Sequence, residues 1–293
     1  MTVEVRAARE EETPEIAGLI DRHAQQVFGE SDMSEAEIRH WFSLPRVWIL
    51  AAERDGRLCG YLDGLIRVGE SVNELYVCAL DAETARALLT AAEERVGGGV
   101  LRVVSQGADP VLPGVLGETG WRPLRNTFQM RIELDGDLPE PVWPEGIAVR
   151  PFRRGEERRV YEANNIAFAG DWYFEPFPFE EWYAFHTGRP GHDPSLWWLA
   201  EEGDELAGYS LNSWHFSGDP RFGRIGSLGV LPAWRRRGLG EALLRHSFRD
   251  FRERGATRVG LGVDVENVTG AVRLYERVGM HVHRRNDTYE KTL

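Results

Sequence analysis

The sequence predicts a mixed α/β fold laid down twice in one chain. Three observations carry this: an internal repeat, a hairpin closed by a charged Gly-containing turn in each half, and a strand–helix order that recurs. The first repeat element is Val3-Glu4-Val5-Arg6, matched by Ile147-Ala148-Val149-Arg150, each followed by a charged helical stretch. Next, Trp48-Ile49-Leu50-Ala51 runs through Asp55-Gly56 to Gly60-Tyr61, and Trp198-Leu199-Ala200 runs through Gly203-Asp204 to Gly208-Tyr209, an offset of 208 − 60 = 148. Glu118-Thr119-Gly120-Trp121 then matches Arg277-Val278-Gly279-Met280 at 279 − 120 = 159. Offsets that grow along the chain are those of duplicated domains whose loops have lengthened in one copy.

Each half continues with a strand, a long helix, a strand, a short helix and a final strand. Between the halves lies the segment Asp135 to Gly146, with prolines at 139, 141 and 144, which reads as a linker of limited flexibility. The expected division is 1–134, 135–146 and 147–293. Each part outside the linker is close to the roughly 150 residues typical of a domain.

Composition bounds the function. With 42% hydrophobic and 28% charged residues the chain reads as a globular protein. Met1 to Glu12 carry charges of both signs and no apolar run, which argues against a secretory signal. No stretch approaches the roughly 18 apolar residues of a membrane span, so a cytoplasmic location is expected. Cys59 and Cys78, without C-x-x-C spacing, support neither a disulfide framework nor a zinc site and read as buried strand residues. No metal is expected. Residues 1–140 hold 14 Arg and 25 Asp plus Glu, a balance of −11 within the chain's −12. Such an acidic half repels nucleic acid and anionic lipid, and neither is an expected partner. Monomer and homodimer both stay open.

The chemistry is concentrated in Ser227-Leu228-Gly229-Val230-Leu231-Pro232-Ala233-Trp234-Arg235-Arg236-Arg237-Gly238-Leu239-Gly240-Glu241-Ala242-Leu243-Leu244. An apolar strand ends at Pro232, which cannot donate to a sheet ladder. A turn bearing Gly238 and Gly240 follows, then a helix whose Leu244, Phe248 and Phe251 share one face and which stops near Gly255. Glycines let successive N–H groups crowd an anion, the helix N-terminus adds unpaired donors, and Arg235, Arg236 and Arg237 can add charge. An ordinary strand-to-helix turn with a solvated Arg run is the bland alternative. The spacing is neither the dinucleotide G-x-G-x-x-G nor a Walker A loop, which would need a lysine.

Strand, loop and helix together resemble motif A of the GNAT superfamily of acyltransferases, Arg/Gln-x-x-Gly-x-Gly/Ala after an L-x-V-x-P strand. Downstream, Arg258 to Val265 reads as a strand and Glu266 to Met280 resembles motif B, N-x-x-x-A-x-x-x-Y-x-x-x-G-F, with Met280 in place of the aromatic. The resemblance implies two mostly antiparallel, twisted sheets with flanking helices. It also implies acetyl-coenzyme A held by Leu228, Gly229, Val230, Arg235, Arg236, Arg237, Gly238, Leu239, Gly240, Asn267, Ala271 and Tyr275. In that role Asn267 would bond the pantetheine arm and Tyr275 would protonate the departing thiolate. Without the resemblance, Asn267 reads as a helix N-cap and Tyr275 as part of an apolar face with Ala271, Leu274 and Val278. The tandem arrangement and the Asn164–Trp198 insertion look like those of mycothiol synthase-like actinobacterial proteins.

The family's reaction is direct attack of an amine on the thioester, which needs a base. Many relatives carry a glutamate on the motif A strand, whereas Arg224-Ile225-Gly226-Ser227 offers no carboxylate. His215, Asp264, Glu266 and, more remotely, His283 are the candidates. In the first half the matching stretch, Glu74 to Arg86, has no glycine after its strand and places Asp81 and Glu83 where a pyrophosphate would sit. That copy reads as a scaffold without cofactor. The expected activity is acetylation of a primary amine of a small molecule. A protein or peptide N-acetyltransferase and a non-catalytic coenzyme A-binding module are the other classes in play.

Overall fold

The computed structural model describes residues 2–67, 72–172, 174–266 and 270–293. Its contacts divide the chain into two compact units, Met1–Thr127 with Arg284–Leu293, and Phe128–His283. The units are therefore not two consecutive halves: the end of the chain groups with the first unit, and the proline-rich stretch groups with the second.

In the first unit, β1 (Glu4–Ala7), β2 (Val47–Arg54), β3 (Arg57–Ile66), β4 (Val72–Ala79), β5 (Val100–Gln106) and the end of β12 (His281–Thr292) lie in that order. All neighbours run antiparallel except β4 and β5, which pair in parallel from Val72↔Val100 to Tyr76↔Val104. Helices α1 (Thr13–Phe28), α2 (Glu35–Ser43), α3 (Ala82–Val96) and α4 (Leu112–Glu118) flank the sheet. Leu88, Leu89 and Ala92 of α3 bury against Leu62, Leu75 and Leu101, and Ile16, Leu19 and Ile20 of α1 bury against Ile49, Tyr61 and Cys78. Both cysteines are free thiols. Cys78 is buried, and Cys59 is half-buried with its Sγ 3.4 Å from the Ala52 carbonyl oxygen.

In the second unit the order is β6 (Arg122–Glu133, from Phe128 on), β11 (Arg258–Asp264), β10 (Phe222–Val230), β9 (Glu205–Trp214), β8 (His192–Glu202) and β7 (Ile147–Pro151). Its helices are α5 (Glu157–Phe168), α6 (Phe179–Thr187), α7 (Leu239–Glu253) and α8 (Ala271–Arg277). The segment after β6 is fastened to α7: Leu138 is buried, its carbonyl accepts from Arg249, and Glu140 pairs with Arg249 at 2.6 Å. The aromatic insertion packs within this unit, with Trp182 buried between Tyr161, Phe179 and Trp197. Trp172 and Tyr183 stay exposed, and Tyr173 lies outside the described residues.

One irregularity positions the site. β10 and β11 pair in parallel only from Phe222↔Arg258 to Arg224↔Gly260. Immediately beyond, β10 carries a bulge between Ile225 and Ser227 against β9. A bulge bends its strand and interrupts the ladder, so the C-terminal halves of β10 and β11 are free to part. The corresponding strand of the first unit, β4, runs against β3 without a shift.

Candidate active site

The gap between the parted strands is a cleft of about 870 Å³. One wall is Ile225 to Val230, the other Leu261 to Asp264, with α7's first turn, α8 and the end of α5 closing the sides. Gly229 is required on the first wall. A Cβ there would stand 2.3 Å from the Tyr209 ring, which packs directly behind the strand. The Tyr209 hydroxyl in turn donates to Asn164 Oδ1 at 3.0 Å, as does the Ser227 hydroxyl. This buried group ties α5, β9 and β10 together behind the cleft.

The loop after β10 makes a 3-10 turn at Pro232–Trp234 and then adopts two left-handed conformations, Arg236 at φ 61 and Gly238 at φ 87. Gly238 is the N-cap of α7 and supplies no side chain to its first turn, so among the described residues no cap side chain takes up the N–H groups there. Nothing lies within 4 Å of where a Gly238 Cβ would be, and the mouth of the turn is open. At Gly240 a Cβ would sit 3.3 Å from Leu274 Cδ2, which explains a small residue where α7 approaches α8. The geometry fits a diphosphate: donors, partial positive charge and clear space coincide.

The three arginines divide their work. Arg235 donates from Nε to the Val230 carbonyl at 3.0 Å and from Nη2 to the Ala167 carbonyl at 2.7 Å, holding the loop to α5. Arg236 lines the cleft. Arg237 does not line it, and its guanidinium is 3.7 Å from Glu202. Arg273 and Arg277 of α8 also line the cleft, cations that motif spacing did not single out.

Leu228, Gly229, Val230, Leu239, Gly240, Ala271 and Tyr275 all face this one space. Tyr275 packs its ring against the apolar core, and its hydroxyl is pushed up to about 12 by burial first and by the charge of Asp171 second. Asn267 lies outside the described residues. His215 does not reach the cleft lining: its Nδ1 bonds Ser217 and its ring stacks on Phe222 at 4.0 Å. Glu266 is exposed and outside the lining, its N–H donating to Asp264 Oδ1 at 2.9 Å. Asp264 lines the cleft, and His283 of β12 does not. Asp171, in the turn after α5, lines it as well. Asp171 belongs to neither motif A nor motif B and stands about a hundred positions before Tyr275, in the insertion that resembles the tandem relatives. Among the described residues no group of three or more His, Cys, Asp or Glu side chains is placed to hold a metal. Nor, among them, is any helix long and apolar enough to cross a membrane.

Comparison with known proteins gives a consistent picture. The model of the acetyltransferase (GNAT) family matches residues 158–280. A mycothiol acetyltransferase of Geodermatophilus obscurus is 34% identical over 86% of this chain and 85% of its own. One from Nocardia farcinica is 30% identical over 78% of each. Among solved structures, a GCN5-related N-acetyltransferase from Sphaerobacter thermophilus superposes with a TM-score of 0.81 at 31% identity, covering 99% of this chain and 95% of that one. A tandem GNAT protein from the clavulanic acid biosynthesis pathway superposes at 0.79 with 15% identity over 99% and 98%, a likeness of fold.

Proposed function

The chain belongs to the GNAT family and is an N-acetyltransferase, and from that premise we propose that it moves the acetyl group of acetyl-coenzyme A to a primary amine of a small molecule by direct attack. The observation that carries this reading is the cleft itself. It begins where β10 and β11 part, runs past an uncapped α7 N-terminus and faces Tyr275. The α7 N–H groups and Arg236 would hold the diphosphate. Leu228 to Val230 would lie along the pantetheine arm and offer backbone N–H groups to the oxyanion. When bound, the cofactor supplies the activated acetyl thioester. Tyr275, kept protonated by burial, is suited to give its proton to the sulfur as the C–S bond breaks.

In this reading residues 147–293 are the catalytic domain, and 1–134 hold no cofactor. At the N-terminus of α3, Asp81 accepts the Thr84 N–H at 2.9 Å and pairs with Arg54 at 3.1 Å, so the donors a diphosphate would need meet a carboxylate of the chain. A cytoplasmic location belongs to the same proposal.

The test is release of coenzyme A thiol from acetyl-coenzyme A, followed across a panel of small primary amines with deacetylated mycothiol at its head. The expected result is amine-dependent release with an N-acetyl product by mass. Binding of acetyl-coenzyme A without release for any amine points instead to a binding module, and acetylation of peptides alone points to a protein-directed enzyme.

A further inference from the structure

β10 carries no carboxylate, and His215, Glu266 and His283 stand outside the cleft lining, so of the candidate bases only Asp264 faces the cleft, and its Oδ1 already accepts the Glu266 N–H. We propose that Asp171 accepts the proton of the incoming ammonium and that the substrate therefore enters as a cation. The proposal rests on the acetyl-transfer reading above.

Asp171 is held for this position by its backbone. Gly170, at φ 95, turns the chain back at the end of α5. The Asp171 N–H donates to the Phe168 carbonyl at 2.9 Å, and its own carbonyl accepts the Phe174 N–H at 3.2 Å. The helix end that carries it is fastened to the α7 loop through Arg235 and Ala167. Among the described residues the Asp171 carboxylate makes no hydrogen bond, whereas Asp264 Oδ1 is engaged by the Glu266 N–H. One carboxylate of the pair serves the β11 turn, and the other is available. Arg235 and Asp264 both act on the Asp171 carboxylate, and Asp171 in turn acts on the Tyr275 phenol. Burial raises its proton affinity, Arg235 opposes this and Asp264 adds to it, which makes the carboxylate a better base than an exposed one.

The step balances. R–NH3+ gives one proton to the Asp171 carboxylate, and the free amine forms the C–N bond to the thioester carbon. As the C–S bond breaks, Tyr275 protonates the thiolate. The second nitrogen proton, lost as the amide forms, restores the phenol, and Asp171 later releases its proton to water.

The experiment compares Asp171→Asn with the unsubstituted enzyme, using acetyl-coenzyme A with ethylamine and with 2,2,2-trifluoroethylamine at neutral pH. The first amine is almost wholly protonated there and the second is largely free base. Loss of a proton acceptor should lower kcat/KM for ethylamine by about 100-fold or more and change trifluoroethylamine little. Asp171→Glu should recover part of the ethylamine rate. Because the readout is a ratio of two substrates on one preparation, a partly unfolded variant leaves it intact. Equal losses with both amines would assign Asp171 to structure and overturn the proposal, as would no loss with either. If the unsubstituted enzyme acetylates neither amine while binding acetyl-coenzyme A, it is the acetyl-transfer reading that falls.

Discussion

The guanidinium of Arg235 donates to the main-chain carbonyl of Ala167 at 2.7 Å, joining positions 68 apart in sequence. Its Nε donates at the same time to Val230. The residue that motif A would assign to the cofactor thus also closes the frame of the cleft, from the end of β10 to the end of α5. Arg235→Lys keeps the charge and loses the fork that reaches two carbonyls. Lysine should therefore bind acetyl-coenzyme A almost as poorly as Arg235→Ala, and both should lose about 1 kcal/mol of stability. Calorimetric titration and thermal melting check the two parts. Full recovery by lysine would show that charge alone matters.

How much of this was legible in the sequence depends on distance along the chain. The strand end, the turn and the bare start of α7 were, because Leu228 to Gly240 are contiguous and the needs of each are written in residue types. Asp171 was not. It enters from α5 through a glycine turn, and nothing local distinguishes it from any exposed aspartate. His215 looked available because a lone imidazole beside a strand carries no record of its neighbours. Stacked on Phe222 and bonded to Ser217, it belongs to the other end of β10. The grouping of Arg284–Leu293 with the first unit was also invisible, since a strand presents the same alternation whichever sheet receives it.

Gly238→Asp tests the cradle directly. No heavy atom lies within 4 Å of the added Cβ, so the side chain fits the protein and costs only the strain of φ 87, about 1 kcal/mol. Its carboxylate, however, would stand at the helix N-terminus where the diphosphate is expected. Binding of acetyl-coenzyme A should be lost in a folded protein, while Gly238→Asn, alike in shape and uncharged, should keep much of it. Normal binding by the aspartate variant, seen by calorimetry, would mean the diphosphate sits elsewhere.

Stoichiometry tests the assignment of the first unit. With Asp81 capping α3 and paired to Arg54, the helix that corresponds to α7 meets a carboxylate of the chain where an anion would bind. One mole of acetyl-coenzyme A per chain is expected by calorimetry. Two sites of similar affinity would contradict it.

Asp63 predicts how stability depends on pH. The residue is 4% exposed on β3, its Oδ2 has no partner among the described residues, and burial pushes its carboxyl up to about 7, with the Tyr61 hydroxyl acting the other way. The folded value lies above the unfolded one near 4. Its contribution is therefore fully present below pH 4 and is lost as pH rises through 7. The span amounts to on the order of 4 kcal/mol. Asp63→Asn should flatten the decline between pH 4 and pH 8 in urea titrations. An unchanged slope would show that Asp63 finds a counter-charge or water in solution.

The enzyme reading turns finally on Tyr275. Its ring packs with Leu274 and Val278 on the core and the residue lines the cleft, so Tyr275→Phe keeps the packing and removes one O–H. If that O–H protonates the leaving thiolate, turnover should fall by about 100- to 10,000-fold with acetyl-coenzyme A affinity nearly unchanged. The pH profile separates this from a packing role. Burial, then the Asp171 charge, raise the phenol to about 12, so it stays protonated through the neutral range and sets no basic limb there. The phenylalanine variant should accordingly show a lower plateau and unshifted limbs. It should also lose less with an acyl donor whose leaving thiol is more acidic, since a thiolate that departs readily needs no acid. Unchanged turnover in this variant, with the cleft still binding cofactor, would leave thiolate departure to solvent and reduce Tyr275 to a wall of the pocket.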